Sequence, residues 1–184
     1  LGAICYATYD LTNQATLTIV SEELEKLNQQ IVSEIKALKG DVTGRKGDEN
    51  IIRVEKRKSS KDLGYVGTIT SIDKEALQTH LQLGHITVVS PMGISVEKQQ
   101  HNINADEVAS AIANSLEAEK LVLLTNVKGV MRSTEDEDSL ISSLALHQIS
   151  DLIKREVIHG GMIPKVNACV EALNGGVKKT HIID

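Results

Sequence analysis

Between residues 12 and 38, apolar side chains return every three or four positions, at Leu17, Val20, Leu24, Leu27, Ile31, Ile35 and Leu38. That period predicts a long amphipathic α-helix, with Thr12 or Asn13 able to cap its start and Lys39-Gly40 ending it. Gly44 and Gly47 then punctuate a stretch leading to Ile51-Ile52-Arg53-Val54, which reads as a short strand. The densely charged residues 55–62, with Lys56, Arg57, Lys58 and Lys61, read as a solvated hairpin tip in preference to a nucleic-acid site. Residues 64–70 alternate like a strand, 73–83 read as a helix, and 86–89 as a buried strand before the Pro91 turn. From residue 104 the pattern is helix 104–118, buried strand 121–124, helices 146–154 and 162–173, and a last strand 181–183. An exposed loop is expected at 133–139, where Glu135, Asp136, Glu137 and Asp138 fall together. Strands separated by helices imply an α/β fold, a three-layer sandwich with a mostly parallel sheet between helices.

The 184 residues, 41% hydrophobic and 24% charged, suit one globular domain. Aromatic residues make up only 2%, with neither Trp nor Phe, so the core must be built from Val, Ile, Leu, Ala and Met. Platforms that stack on bases need aromatic faces, and a net charge of −5 opposes phosphate-backbone binding, so no nucleic-acid partner is expected. Cys5 and Cys169 lie far apart and signal neither a disulfide framework nor a zinc site, which fits a reducing cytoplasm. No apolar run approaches the roughly 20 residues that span a bilayer, and the first residues show no signal pattern, so no membrane association is expected.

Ligands of open α/β sheets collect beyond the carboxyl ends of strands, where loops enter helix N-termini. Three segments have that position. Asn102-Ile103-Asn104-Ala105-Asp106 precedes a helix, and two Asn with one Asp exceed what a single cap needs. Leu123-Leu124-Thr125-Asn126-Val127-Lys128-Gly129-Val130 is a buried strand running into a glycine turn. In His159-Gly160-Gly161-Met162-Ile163-Pro164-Lys165, paired glycines let backbone approach an anion, the helix N-terminus supplies N–H donors, and Lys165 adds a mobile positive charge. A lysine there opposes the helix dipole unless an anion compensates it. Taken singly, the three also read as a helix cap, a sheet exit and a glycine turn before a surface lysine.

Together, in this order and spacing, the three segments resemble the amino-acid kinase family, and in particular its acetylglutamate kinases. Leu63-Gly64-Tyr65-Val66-Gly67, Val89-Ser90-Pro91-Met92-Gly93 and His181-Ile182-Ile183-Asp184 extend the likeness over nearly the whole chain, and the GGMIPKV run is its most specific element. The resemblance implies a cytoplasmic, homo-oligomeric enzyme of arginine biosynthesis that moves the γ-phosphoryl of ATP to the side-chain carboxylate of N-acetylglutamate. It implies that Lys165 stabilises the transition state and that Asp106 orients the lysines around it. Asn102 and Asn104 would hold the acetylglutamate. Asn126, Val127, Lys128, Gly129, Val130 and Met131, with Val157, Ile158, His159 and Met162, would line the nucleotide pocket. ATP would be a co-substrate with Mg2+ bridging its phosphates, and no protein side chain is assigned to the metal. Within one kinase domain over 1–184, residues 1–100 would serve mainly the acceptor and 101–184 mainly the nucleotide.

The chain also departs from the family pattern. Leu1-Gly2 matches a point just after the family's amino-terminal strand, first catalytic lysine and HGGG turn, so these are expected to be missing. Asp10, in Thr8-Tyr9-Asp10-Leu11-Thr12-Asn13, stands where the family carries an arginine that clasps the substrate's α-carboxylate. Residues 44–50 are one shorter than the family's glycine-rich segment, and Arg45 or Lys46 would be the nearby bases able to compensate. These departures motivate an alternative, a catalytically silent member of the fold that binds an amino acid or nucleotide and regulates a partner. A phosphate-binding dehydrogenase is disfavoured because no GxGxxG follows any strand.

Overall fold

The computed structural model describes residues 11–133, 136 and 138–184. The chain forms two compact units, Leu1–Ile112 and Ala113–Asp184.

In the first unit, α1 (Gln14–Ala37) starts where the Asn13 side chain accepts the Thr16 N–H at 2.9 Å. It ends in a Schellman pair, Gly40 N–H to the Ile35 carbonyl and Lys39 N–H to that of Lys36, with Lys39 at φ 63°. Leu17, 1% exposed, anchors the apolar stripe, whereas Leu38, expected on it, is 84% exposed as the cap residue. The stretch from Gly44 to Gly47, read from sequence only as a glycine-punctuated lead to the next strand, contains most of a strand of its own, β1 (Val42–Lys46). Its parallel partner is β4 (Ile86–Ser90), in register from Val42 opposite Ile86 to Lys46 opposite Ser90. Gly44 hides the strand because glycine is a poor strand former, yet nothing larger fits: a Cβ there would stand 2.3 Å from Asn28 Oδ1. The buried Asn28 carboxamide reaches from α1 to the Arg45 carbonyl (3.3 Å), the Val88 carbonyl (3.0 Å) and Ser90 Oγ (3.2 Å), tying helix to both strands.

The hairpin expected around the charged run is present. Strand β2 (Ile52–Lys56) pairs antiparallel with β3 (Gly67–Ile72), with a register shift between Arg53 and Val54. The basic residues of its tip are partly offset at short range, Lys56 by Asp62 at 2.8 Å and Arg57 by Glu107 at 2.5 Å. Helix α2 (Lys74–Leu81) is capped by Asp73 and buries Leu77. Two three-residue strands, β5 (Met92–Ile94) and β6 (Gln100–Asn102), were not predicted, being too short for any periodicity to register. They pair antiparallel and complete a sheet of order β3-β2-β5-β6. Ile51, Ile52, Val54, Val66, Met92 and Ile103 fill its core.

Helix α3 (Ala105–Ser115) carries the boundary between the units. In the second unit, β7 (Lys120–Leu124) and β8 (Lys179–Ile183) pair in parallel, and α4 (Leu146–Lys154) and α5 (Met162–Asn174) fall where the periodicity puts them. Helix α5 packs on both strands and buries Val166, Ala168, Cys169 and Ala172. Strand β7, read as buried, is so on one face only: Leu121 and Leu123 are buried, whereas Val122 is 46% and Leu124 71% exposed. A run of apolar residues does not reveal which of its alternating faces a neighbour covers. Cys169 is buried, and Cys5 lies outside the described residues. The class is α/β, with parallel ladders β1–β4, β2–β5 and β7–β8 in three separate sheets and antiparallel ladders β2–β3 and β5–β6 in the four-stranded one.

Asn28→Ala removes the buried donors that tie α1 to β1 and β4, so it is expected to lower the unfolding free energy by about 1–3 kcal/mol. Urea unfolding of the variant measures this, and a loss below about 0.5 kcal/mol would show the amide to be dispensable.

Candidate active site

In the first unit the candidate residues gather where β6 becomes α3. The Asn102 backbone N–H donates to the Tyr65 carbonyl at 2.9 Å, and Asn102 pairs with Val66 in an isolated parallel bridge. Buried Ile103 donates to the Pro91 carbonyl at 3.3 Å. Asn104 Oδ1 accepts the N–H groups of Asp106 (2.8 Å) and Glu107 (3.3 Å), making this residue the cap of α3. Its Nδ2 is buried without a partner, so one half of the carboxamide caps and the other half is left with donors unsatisfied in the protein. Asp106 sits half-buried in the first turn, where the helix dipole favours a carboxylate. The structure thus brings Asn102, Asn104 and Asp106 together at one strand-to-helix junction.

In the second unit, the predicted nucleotide residues flank a common apolar cluster. Thr125 N–H donates to the Ile183 carbonyl at 2.8 Å, and the chain leaves β7 with Asn126, Val127 and Lys128 exposed. Gly129 and Val130 turn inward, and Met131 bridges Leu140. Val130 and Ile158 are buried with Val166, and Met162 packs against them. The side chains of Val130 and Ile158 are therefore committed to the core, and their backbone is engaged too: the Val130 carbonyl accepts the Ile141 N–H at 2.8 Å and the Ile158 N–H donates to the Leu152 carbonyl at 3.2 Å. Val157 is half-buried and His159 exposed.

The turn into α5 has the features of an anion seat. Gly160 takes the left-handed φ of 54°, and a Cβ on Gly160 or Gly161 would meet nothing within 4 Å, so the backbone here faces open space. No side chain caps the helix and its first turn contains no acidic residue. Lys165 lies half-buried just inside the helix, at the end where the dipole disfavours a positive charge.

Asp10 lies outside the described residues. The two bases that could stand in for the family's arginine are engaged locally. Arg45 NH1 lies 3.3 Å from His80 Nε2 and its Nε 3.5 Å from Glu49. Lys46 pairs with Glu25 at 2.7 Å, and that hydrogen bond raises its pKa above the usual lysine value. One residue of the junction escaped the sequence reading: His101, 4% exposed, which lies in a strand too short to be predicted.

Residues 5–184 match the amino acid kinase family. Proteins named acetylglutamate kinase from Desulforamulus reducens and Moorella thermoacetica are 46% and 43% identical to the chain, each over 95% of it. The chain spans 62% of the length of each of these relatives. A solved Streptococcus mutans protein superposes with a TM-score of 0.87 at 29% identity, covering 95% of this chain and 70% of that one. The fold alone is shared with an N-acetylglutamate synthase of Neisseria gonorrhoeae, solved with coenzyme A and N-acetylglutamate, at a TM-score of 0.79 and 23% identity over 95% of this chain and 39% of that one. With those matches added to the two sites described, the chain belongs to the amino acid kinase family.

Proposed function

We propose that the protein transfers the γ-phosphoryl group of ATP to the side-chain carboxylate of N-acetylglutamate, as a cytoplasmic homo-oligomer serving arginine biosynthesis. The observation that carries this reading is the 46% identity, over 95% of the chain, to a protein named acetylglutamate kinase. The acceptor-binding part, expected over residues 1–100, corresponds better to the first compact unit, which runs to Ile112 and includes Asn102 and Asn104. The second unit takes the nucleotide.

A carboxylate oxygen attacks the γ-phosphorus while the bond to the β–γ bridging oxygen breaks, and ADP leaves with that electron pair. The acceptor is already ionised, so no general base is needed; the protein has to position the reactants and neutralise charge on the phosphoryl oxygens. Asn102 and the unsatisfied Asn104 Nδ2 offer donors to the acceptor. The Gly160-Gly161 backbone and the N-terminus of α5 receive phosphate, and Lys165 follows the charge as it moves. The donor set on this side consists of N–H groups and a lysine, which suit phosphate and not a cation. No side chain on this side suits the ion, so magnesium would come with the nucleotide and would supply neutralisation of phosphate charge. Asp106 orients the positive groups around the transferring phosphoryl.

Lys165→Ala is expected to lower kcat by about a hundredfold or more while the KM for ATP changes by less than about threefold, because the charge matters most in the transition state. Steady-state kinetics decides this, and unchanged turnover returns Lys165 to the role of a surface lysine. Asp106→Asn should depress kcat while lowering the melting temperature by only a few degrees, since the helix cap belongs to Asn104 and the charge lost is worth about 0.3–1 kcal/mol to the helix dipole. A fall in melting temperature with turnover per folded molecule intact would make Asp106 a structural residue only.

Asp10 favours the second reading, a silent binder, because a carboxylate repels the acceptor's α-carboxylate where arginine would clasp it. Asp10→Arg is accordingly expected to tighten N-acetylglutamate binding by at least about tenfold in calorimetric titration. Tight wild-type binding weakened by Arg would remove acetylglutamate as the acceptor.

A further inference from the structure

The second unit contains a cleft of about 360 Å³ that the proposed reaction does not use. It lies between α4 and the segments 130–132 and 139–141, which pair through Met131 and Leu140, and its size suits a small organic molecule. Ile141, Leu144 and Leu152 give it an apolar floor, half-buried and packed on the cluster of Val130, Ile158 and Val166. Its rim is charged, with Arg132 on one side and His147, Asp151 and Arg155 on the side of α4. Asp151 is the one acid among the described residues that line it. Its carboxylate lies 3.4 Å from the Arg155 guanidinium in an exposed pair, of the kind that contributes little. Two guanidiniums and an imidazole against one carboxylate make a rim that favours a negatively charged occupant.

The residues that line the cleft also hold the two segments read as nucleotide-binding. On one side, Ile141 lines the cleft and donates its N–H to the Val130 carbonyl at 2.8 Å. On the other, Leu152 lines the cleft while its carbonyl accepts the N–H groups of Val157 (2.9 Å) and Ile158 (3.2 Å). Glu156, at φ 57°, makes that return tight, so a single left-handed residue separates Arg155 on the rim from Val157. Arg132 likewise follows Met131 directly. An occupant that draws the two sides of the rim together therefore acts on the backbone of both segments at once.

We propose that this cleft is a second ligand site, for a small organic anion with an apolar body and carboxylate groups, and that its occupant tunes nucleotide affinity through Ile141 and Leu152. The apolar body covers the floor, and the carboxylates meet Arg132 and Arg155, each guanidinium offering paired N–H donors. A bare inorganic anion lacks the first half of that match, and a neutral apolar molecule lacks the second. The effect on the nucleotide rests on the reading of residues 126–131 and 157–159 as its pocket; the binding of the anion does not.

Phthalate, a benzene ring with two adjacent carboxylates, serves as the probe, at constant ionic strength. In heteronuclear NMR it is expected to shift the Ile141, Leu144 and Leu152 amides saturably, and inorganic phosphate should bind at least about tenfold more weakly. Both arginines are exposed, so Arg132→Ala combined with Arg155→Ala should leave the fold intact and weaken phthalate by about tenfold or more. No saturable shift in the cleft, equal affinity in the double variant, or phosphate binding as tightly as phthalate each overturns the site. Calorimetric titration with a non-hydrolysable ATP analogue, with and without saturating phthalate, reads the coupling. Nucleotide affinity is expected to change by about threefold or more, with the same factor in phthalate affinity when nucleotide is bound. Unchanged nucleotide affinity overturns the effector role, and mutual exclusion overturns the second site by making the cleft part of the nucleotide pocket. If the analogue does not bind at all, the nucleotide reading fails and phthalate alone judges the link. Shifts that reach the Val130, Val157 and Ile158 amides then support it, and shifts confined to the rim overturn it.

Discussion

The Asn104 carboxamide decides where the first unit's sheet stops and its functional helix begins. By accepting the Asp106 and Glu107 N–H groups, it ends β6 and starts α3 within two residues of Asn102. An alanine in its place would leave two N–H groups of a half-buried first turn without partners, and the junction would lose its sharp change of direction. Asp106 owes its place in the first turn to that cap, and Glu107 owes to it the orientation in which Arg57 can reach across from the β2–β3 hairpin. Three polar groups of different chemistry are set on one short stretch because one side chain satisfies the backbone there.

The second unit solves the opposite problem. The N-terminus of α5 has no side-chain cap, its first turn has no acid, and a lysine follows on the wrong end of the dipole. Two glycines with nothing within 4 Å of their Cβ positions keep that end open. Met162 and Ile163 donate their N–H groups to the His159 and Gly160 carbonyls, each at 3.2 Å, and Pro164 has none, so an anion bound at this end would have to meet the open glycine backbone. The helix tolerates this because Val166, Ala168, Cys169 and Ala172 bury its opposite face.

Elements with a sustained period were legible in the sequence. The stripe of α1, the alternation of β3 and the helices α4 and α5 each run long enough for packing to dictate the pattern, and their ends fall within a few residues of expectation. What could not be read depends on contacts distant in the chain. Gly44 looks like a loop residue until Asn28 is seen against it, and β5 and β6 exist because each finds a partner, not because three residues prefer extension. The motifs at 102–106, 123–130 and 159–165 were legible through family likeness, and the structure supplied the division of labour in and beside them: Asn104 as cap, Val130 and Ile158 as core. His101 was hidden because a histidine between two amides carries no periodic signal, and its burial follows from the sheet on either side.

The chemistry proposed for the site explains why the groups offered to its substrates are amides, backbone N–H groups and lysine, with Asp106 left to orient the positive ones. A hydroxyl acceptor would have to lose a proton as it attacked, and a site for it would need a histidine or carboxylate tuned near neutrality. A carboxylate acceptor arrives as the nucleophile, so every further negative charge near it is a cost, and donors that hold it without removing a proton are what remain useful.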